Sequence, residues 1–190
     1  MTRASLSDFL IRYPGNVSDV SALHKYVYDS FLAQGQSRQF IFSPVDASGT
    51  TAIVIRGEES LLKTIAPQAK LTQTFIPGDG DSVPFTLRAN PQYKSGMRRS
   101  QMPTFASWDA KRLAWLERRG AERGFSVSDV EMEVTSHFVK EQKNRKFIMN
   151  VVTFSGMLHV FDEDLLRASM GNGIGRAITY GNGLLLCYKQ

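Results

Sequence analysis

The feature that most constrains this chain is the order in which two hydrophobic periods alternate along it. Phe9, Ile11 and Tyr13 recur at every second position within residues 4–13, the period of a half-buried strand, and Pro14-Gly15-Asn16 stops it. After Ser18, a good helix N-cap, Val20, Leu23, Val27 and Phe31 follow at spacings of three and four, one face of a helix that Gly35 ends. Residues 39–42 predict a second strand closed by Pro44, and residues 51–56, rich in β-branched side chains, a third. A short helix over 60–66 and a strand over 70–76 complete the order β-α-β-β-α-β. Past the loop Pro77-Gly78-Asp79-Gly80 the order repeats. It runs through a strand at 83–90, a helix at 107–123 capped by Ser107 or Asp109 and ended by Gly124, and a strand at 130–139. Its hairpin partner covers 146–154 and continues toward Val160, a short helix with acids at its start covers 162–170, and a strand at 184–188 closes the unit. Residues 91–104 fit neither period and read as a mobile basic loop. The expected fold class is therefore α+β, with two tandem ferredoxin-like (RRM-like) units, residues 1–80 and 81–190.

Bulk properties narrow the function. No apolar run approaches the roughly 18 residues that span a bilayer. The start of the chain has Asp8 inside its apolar part and no small-residue cleavage site, so a signal peptide is not expected. A single cysteine, Cys187, excludes an internal disulfide framework, and the expected compartment is the cytoplasm. The formal net charge is +5, and it is unevenly placed: 16 of the 23 Lys/Arg residues but only 10 of the 18 Asp/Glu residues lie from Pro84 onward. The C-terminal half is the expected polyanion-binding half.

The densest motif is Gly173-Ile174-Gly175-Arg176-Ala177-Ile178-Thr179-Tyr180-Gly181-Asn182-Gly183. Its four glycines permit sharp turns and close approaches, and Arg176 adds a phosphate-binding fork. It is neither a dinucleotide fingerprint, since Ile178 takes the third glycine position and no strand precedes it, nor a Walker loop. On chemistry alone it serves equally as a helix-to-strand connection or a ligand loop. His24 sits beside the Leu23/Val27 stripe, where a lone histidine is usually structural or half-exposed. His137 and His159 fall on strands, and with Cys187 the histidines form no recognisable zinc spacing. Asp162-Glu163-Asp164 reads as a solvated helix start, and no carboxylate pair is placed for two-metal chemistry. No metal and no cofactor are expected. The basic residues form two groups. Arg112, Arg119 and Arg123 share one helical stripe at about 100° per residue, and Lys140, Lys143, Arg145 and Lys146 crowd the tip of the predicted hairpin. Each alone is an ordinary solvated face; together, in the basic half, they point to a groove for RNA.

The glycine segment just before the last strand resembles the C-terminal signature of the CRISPR repeat-processing endoribonucleases. Three further stretches resemble the CasE branch of that family, found in type I-E systems. These are Val83-Pro84-Phe85-Thr86-Leu87-Arg88-Ala89-Asn90-Pro91, the Ala114-Trp115-Leu116 helix and Thr153-Phe154-Ser155-Gly156-Met157-Leu158. The family is built of two ferredoxin-like domains. The resemblance implies a metal-independent endoribonuclease that cleaves repeat hairpins in precursor crRNA, leaves a 2′,3′-cyclic phosphate and a 5′-hydroxyl, and joins an effector complex. It implies that His24, in the family's Leu-His context, is the catalytic histidine. The family often has a tyrosine one turn earlier, where this chain has Ser21, so that Lys25, Tyr26 or Tyr28 would have to take its place; Lys25 and Tyr28 join His24 in the expected catalytic set. The expected RNA contacts are Arg88, Arg98, Arg99, Arg112, Arg119, Arg123, Lys140, Lys143, Arg145, Lys146, Gly173, Gly175, Arg176, Gly181 and Gly183. The alternative is a non-cleaving subunit that only holds the hairpin. A ferredoxin-like protein adaptor, a third class, has no need of the C-terminal charge excess.

Overall fold

The computed structural model describes residues 5–32, 39–47, 50–95, 98–140 and 146–189. Strands β1 (Leu6–Arg12), β2 (Ile41–Ala47), β3 (Thr50–Glu58) and β4 (Thr72–Gln73) form one antiparallel sheet in the order β2-β3-β1-β4. Helices α1 (Val20–Phe31) and α2 (Glu59–Ile65) connect them. The helical stripe explains the packing: Leu23, Val27 and Leu62 are fully buried against Phe9, Ile53 and Ile55 of the sheet. Asp19, rather than Ser18, caps α1, its carboxylate accepting from the Ala22 N–H at 2.9 Å, while Ser18 turns to Asn16. The helix ends at Phe31, and Gly35 lies outside the described residues. Pro44 does not close the second strand. It pairs with Ile53 inside β2, an edge strand, where a residue without an N–H donor is tolerated. The expected strand over 70–76 shrinks to Thr72–Gln73, and the Thr74 hydroxyl binds Asp8 at 2.9 Å.

The second unit begins with β5 (Ser82–Ala89), then a two-stranded hairpin of β6 (Gln92–Ser95) and β7 (Arg98–Gln101). It continues with α3 (Asp109–Ala121), β8 (Phe125–Lys140), β9 (Lys146–Val160), α4 (Glu163–Asn172) and β10 (Leu185–Cys187). Its sheet order is β10-β5-β9-β8. In both units the fourth strand lies beside the first and the third beside the second, as the sequence pattern requires. The core between the second sheet and its helices gathers Phe85, Leu87, Leu116, Phe154, Leu166 and Met170.

Two expectations for this unit need correction. Residues 91–104 are not a free loop, because β6 and β7 pair and the base of the hairpin is pinned to β9. There Gln101 donates to the Ile148 carbonyl at 2.5 Å and accepts from the Asn150 N–H at 3.0 Å. Nor does Ser107 or Asp109 cap α3: one tighter helical turn over Ala106–Trp108 leads into it, and the Asp109 carboxylate binds Arg112 instead.

The two sheets do not stand apart. Ile41 and Val54, on the face of the first sheet away from α1, pack on Leu184, with Ile178 beside them. Val20 at the start of α1 packs on Val139, Met149 and Val151 of β8 and β9. Buried Arg56 ties the units further, clasping Asp8 through two bonds of 2.7 and 2.9 Å and donating to the Leu185 carbonyl at 2.6 Å. Cys187 lies beside it, and burial pushes its thiol up to about 12. Among the described residues no helix is long and apolar enough to cross a membrane.

Candidate active site

The apolar stripe that buries Leu23 and Val27 rotates His24 to the edge of α1, half-exposed and facing the second unit. There it meets the glycine segment. After α4 the chain turns through Gly173, Gly175, Gly181 and Gly183, all with φ between 80° and 92°. At Gly183 the backbone leaves no room for a side chain, and at Gly175 and Gly181 one would crowd its neighbours. A Cβ on Gly183 would lie 2.8 Å from the Ile174 carbonyl oxygen, because the Ile174 N–H closes the loop onto the Gly183 carbonyl at 2.8 Å. A Cβ on Gly175 would press on the Trp115 ring at 3.2 Å. The loop thus packed carries a single tight turn over Ile178–Tyr180, whose Thr179 carbonyl lies 2.7 Å from His24 Nδ1.

That distance fixes a proton. A carbonyl oxygen only accepts, so Nδ1 donates, and in the neutral ring Nε2 carries the lone pair. The imidazole sits against two phenol rings, Tyr28 with its centroid 4.1 Å away and Tyr180 at 5.2 Å. Phe147 meets Tyr180 edge-on at 6.0 Å, which brings the start of β9, and with it exposed Lys146, close to the site.

The expected residues separate on this geometry. His24, Tyr28 and the glycine loop come together. Lys25, one residue along α1 and about 100° around it, is exposed and ion-paired with Asp29 one turn on. Arg112 is wholly buried: its guanidinium binds Asp109 and the Pro103 carbonyl beneath the segment that leads into α3. Arg88 is committed inward, donating to His137 Nε2 at 3.2 Å and to Asn182 Oδ1 at 3.4 Å. Burial lowers its pKa to about 10. Lys143 and Arg145 lie outside the described residues, as do the side chains of Arg98, Arg99 and Lys140.

Arg119, Arg123 and Arg176 do share one feature, an open groove of about 860 Å³ between α3 and the β6 hairpin, with the glycine loop at its end. Lys94, Lys111 and Arg118 complete six cations against one acid in its lining, Glu122. Arg119 binds Glu122 at 2.6 Å and Arg123 binds it at 3.1 Å. The hydrogen bond from Arg119 is the main cause of the lowered Glu122 pKa, with the charge and bond of Arg123 adding to it. Tyr93 and Trp108 line one side, their rings 4.9 Å apart, with the Lys111 ammonium 4.0 Å above Trp108. Sequence reasoning missed Lys111 and Arg118. They too are seven residues apart, the stripe next to Arg112 and Arg119, and the side facing the groove depended on where the β6 hairpin packs. Among the described residues no three His, Cys, Asp or Glu side chains gather as a metal site.

Comparison with known proteins agrees with this architecture. The family model described as CRISPR associated protein matches residues 2–188. A CRISPR-associated endoribonuclease, Cse3 of Thermus thermophilus, is 30% identical over 120 residues, covering 56% of this chain and 55% of that protein. The match thus spans about half the length of that curated relative. Among solved structures, Thermus thermophilus Cse3 bound to an RNA representing a pre-cleavage complex superposes with a TM-score of 0.69 at 21% identity, over 99% of this chain and 100% of that one. A chain of a CRISPR RNA-guided surveillance complex gives a TM-score of 0.70 at 20% identity, over 98% and 100%. At these identities the superpositions speak to the fold, which is shared over the whole length. The family match over nearly every residue shows that this chain belongs to the CRISPR associated protein family.

Proposed function

We propose that this chain is a metal-independent endoribonuclease that binds and cleaves the repeat hairpin of precursor CRISPR RNA. It then stays with the mature RNA in an effector complex in the cytoplasm. The observation that carries the reading is the His24 imidazole, which donates through Nδ1 to the Thr179 carbonyl, so that in the neutral ring Nε2 carries the lone pair. The similar proteins described as an endoribonuclease, as an RNA-bound pre-cleavage complex and as part of a surveillance complex support the substrate and the assembly.

Imidazole is the side chain that takes up and releases a proton near neutral pH. In the proposed step the RNA's own 2′-hydroxyl gives its proton to His24 Nε2 as its oxygen bonds to the adjacent phosphorus. The bond from phosphorus to the 5′-oxygen breaks, and that oxygen takes a proton from the Tyr28 phenol. Tyr28 recovers the proton from His24, and both side chains return to their starting state. The products are a 2′,3′-cyclic phosphate and a 5′-hydroxyl. Arg176, exposed on the loop three residues before Thr179, takes the charge-stabilising role for which Lys25, neutralised by Asp29, is poorly placed. The basic groove beside the loop grips the stem through phosphates and shape, as A-form RNA is usually read.

The test is single-turnover cleavage of a repeat hairpin in excess EDTA. Cleavage should persist, and mass spectrometry should find the cyclic phosphate. His24→Ala should slow the step by about 10²-fold or more, the usual scale of general acid–base catalysis, with little change in affinity. Cleavage of a substrate lacking the 2′-hydroxyl at the scissile nucleotide would overturn the mechanism. Tight binding with no cleavage by the parent would make the chain a hairpin-holding subunit, and no binding would overturn the reading altogether.

A further inference from the structure

The bond between His24 and Thr179 is the last link of a chain of hydrogen bonds that starts just before α1 and ends on it. The Ser18 carbonyl, at the entry to α1, accepts from His137 Nδ1 at 3.3 Å. His137 Nε2 then accepts from Arg88 at 3.2 Å, and Arg88 Nε donates to Asn182 Oδ1 at 3.4 Å. Asn182 Nδ2 donates to the Ala177 carbonyl at 3.1 Å. The same carbonyl accepts from the Tyr180 N–H at 3.0 Å, closing the tight turn that displays the Thr179 carbonyl to His24.

Two features single out Asn182 within this chain of bonds. It is wholly buried inside the glycine loop, with both ends of its amide engaged. It also bonds the one residue of the loop that is strained. Ala177 has φ of +56°, a left-handed conformation that a residue with a Cβ keeps only when its surroundings hold it there. If that hold is lost, the turn relaxes, the Thr179 carbonyl leaves the His24 ring and the imidazole can take either tautomer. With the proton on Nε2, the nitrogen that must accept a proton is already occupied.

We infer that Asn182 is a positioning residue: by bridging Arg88 and the Ala177 carbonyl it holds the turn that keeps the His24 proton on Nδ1 and leaves Nε2 free. The catalytic consequence rests on the endoribonuclease reading, whereas the tautomer is a property of the free protein and is tested without RNA. The experiment records ring ¹⁵N shifts of the histidines in the full chain at pH 8, with His24 assigned by its loss in His24→Ala. In the parent, Nδ1 of His24 should give a protonated signature and Nε2 an unprotonated one. In Asn182→Ala the two should move toward each other as the tautomers mix. Single-turnover cleavage should fall by roughly 10- to 100-fold, the scale on which partners that orient a functional histidine act, with hairpin affinity nearly unchanged. A merely structural asparagine would lower stability and leave the His24 shifts where they are. Should Asn182→Ala not fold, Asn182→Ser keeps a polar group in the space, is too short to bridge both partners and gives the same two readings. A folded variant with parental shifts and parental rate overturns the inference. If the parent cleaves no hairpin, the functional reading fails while the nitrogen shifts still decide the positioning.

Discussion

His137 is the buried histidine of the chain, and its bonding allows only the neutral ring. Nε2 accepts from Arg88 and lies 3.1 Å from the Thr135 hydroxyl, while Nδ1 donates to the Ser18 carbonyl. Burial is the main cause that lowers its pKa from 6.5, the Arg88 charge acts the same way, and the bond to Ser18 opposes them. The unfolded chain therefore takes up a proton at a pH where the folded chain does not. The resulting stability is fully present above about pH 6.5 and is lost as pH falls toward the lower folded value. Urea unfolding at pH 7.5 and 5.5 should show the parent losing more stability on acidification than His137→Gln. Equal losses would mean that His137 does not titrate this way. At this scale the sequence was only half legible. The family resemblance singled out His24, whose place beside the Leu23/Val27 stripe alone read as structural or half-exposed. Its partner Thr179 lies 155 positions away, and no local pattern announces such a contact. Lys25 was expected in the catalytic set, and its pairing with Asp29, four residues on, is an ordinary contact between neighbours on a helix face.

Among the elements, strands and helices with a strong apolar period were readable, and those held by polar contacts were not. The β6 hairpin has almost no apolar alternation. It exists because Gln101, Asn90 and Asn150 bond across to one another and to β9, a tertiary network with no periodic signature. The same hairpin forms one wall of the groove opposite α3 and so determines which cations line it. Lys94, Lys111 and Arg118 are exposed there, and replacing them should cost the fold little. Duplex binding releases about 0.9 counterion for each phosphate neutralised. The triple replacement Lys94→Ala, Lys111→Ala, Arg118→Ala should weaken hairpin binding and flatten the dependence of log affinity on log salt by up to about three units. An unchanged slope would move the RNA off this groove, with the tip of the long β8–β9 hairpin the next place to look.

At the scale of the molecule, the tandem β-α-β-β-α-β order follows from local periods. The way the two sheets meet does not, because it depends on a charge hidden between them. Arg56 sits on β3, where its neighbours Ile53 and Ile55 mark a buried strand, and the acid that binds it is neither of the nearest in sequence, Glu58 and Glu59. Its acid, Asp8, comes from the paired position on β1, and its other partner is a carbonyl of β10 in the other unit. The Arg56 side chain is 2% exposed and that of Asp8 23%, so the pair is largely shielded from water. Removing one member of such a pair leaves the other charge without its partner, a loss of about 3–5 kcal/mol where the pair is fully buried. Because Asp8 retains some access to water, Arg56→Ala should fall at or below the lower end of that range. The double variant Arg56→Ala, Asp8→Ala should lose less than the two single losses added together, since no charge is left stranded. Urea unfolding of the four proteins in the cycle measures both quantities. Strict additivity would mean that Arg56 and Asp8 act independently, leaving the join between the sheets to the apolar contacts around Leu184 and Val20.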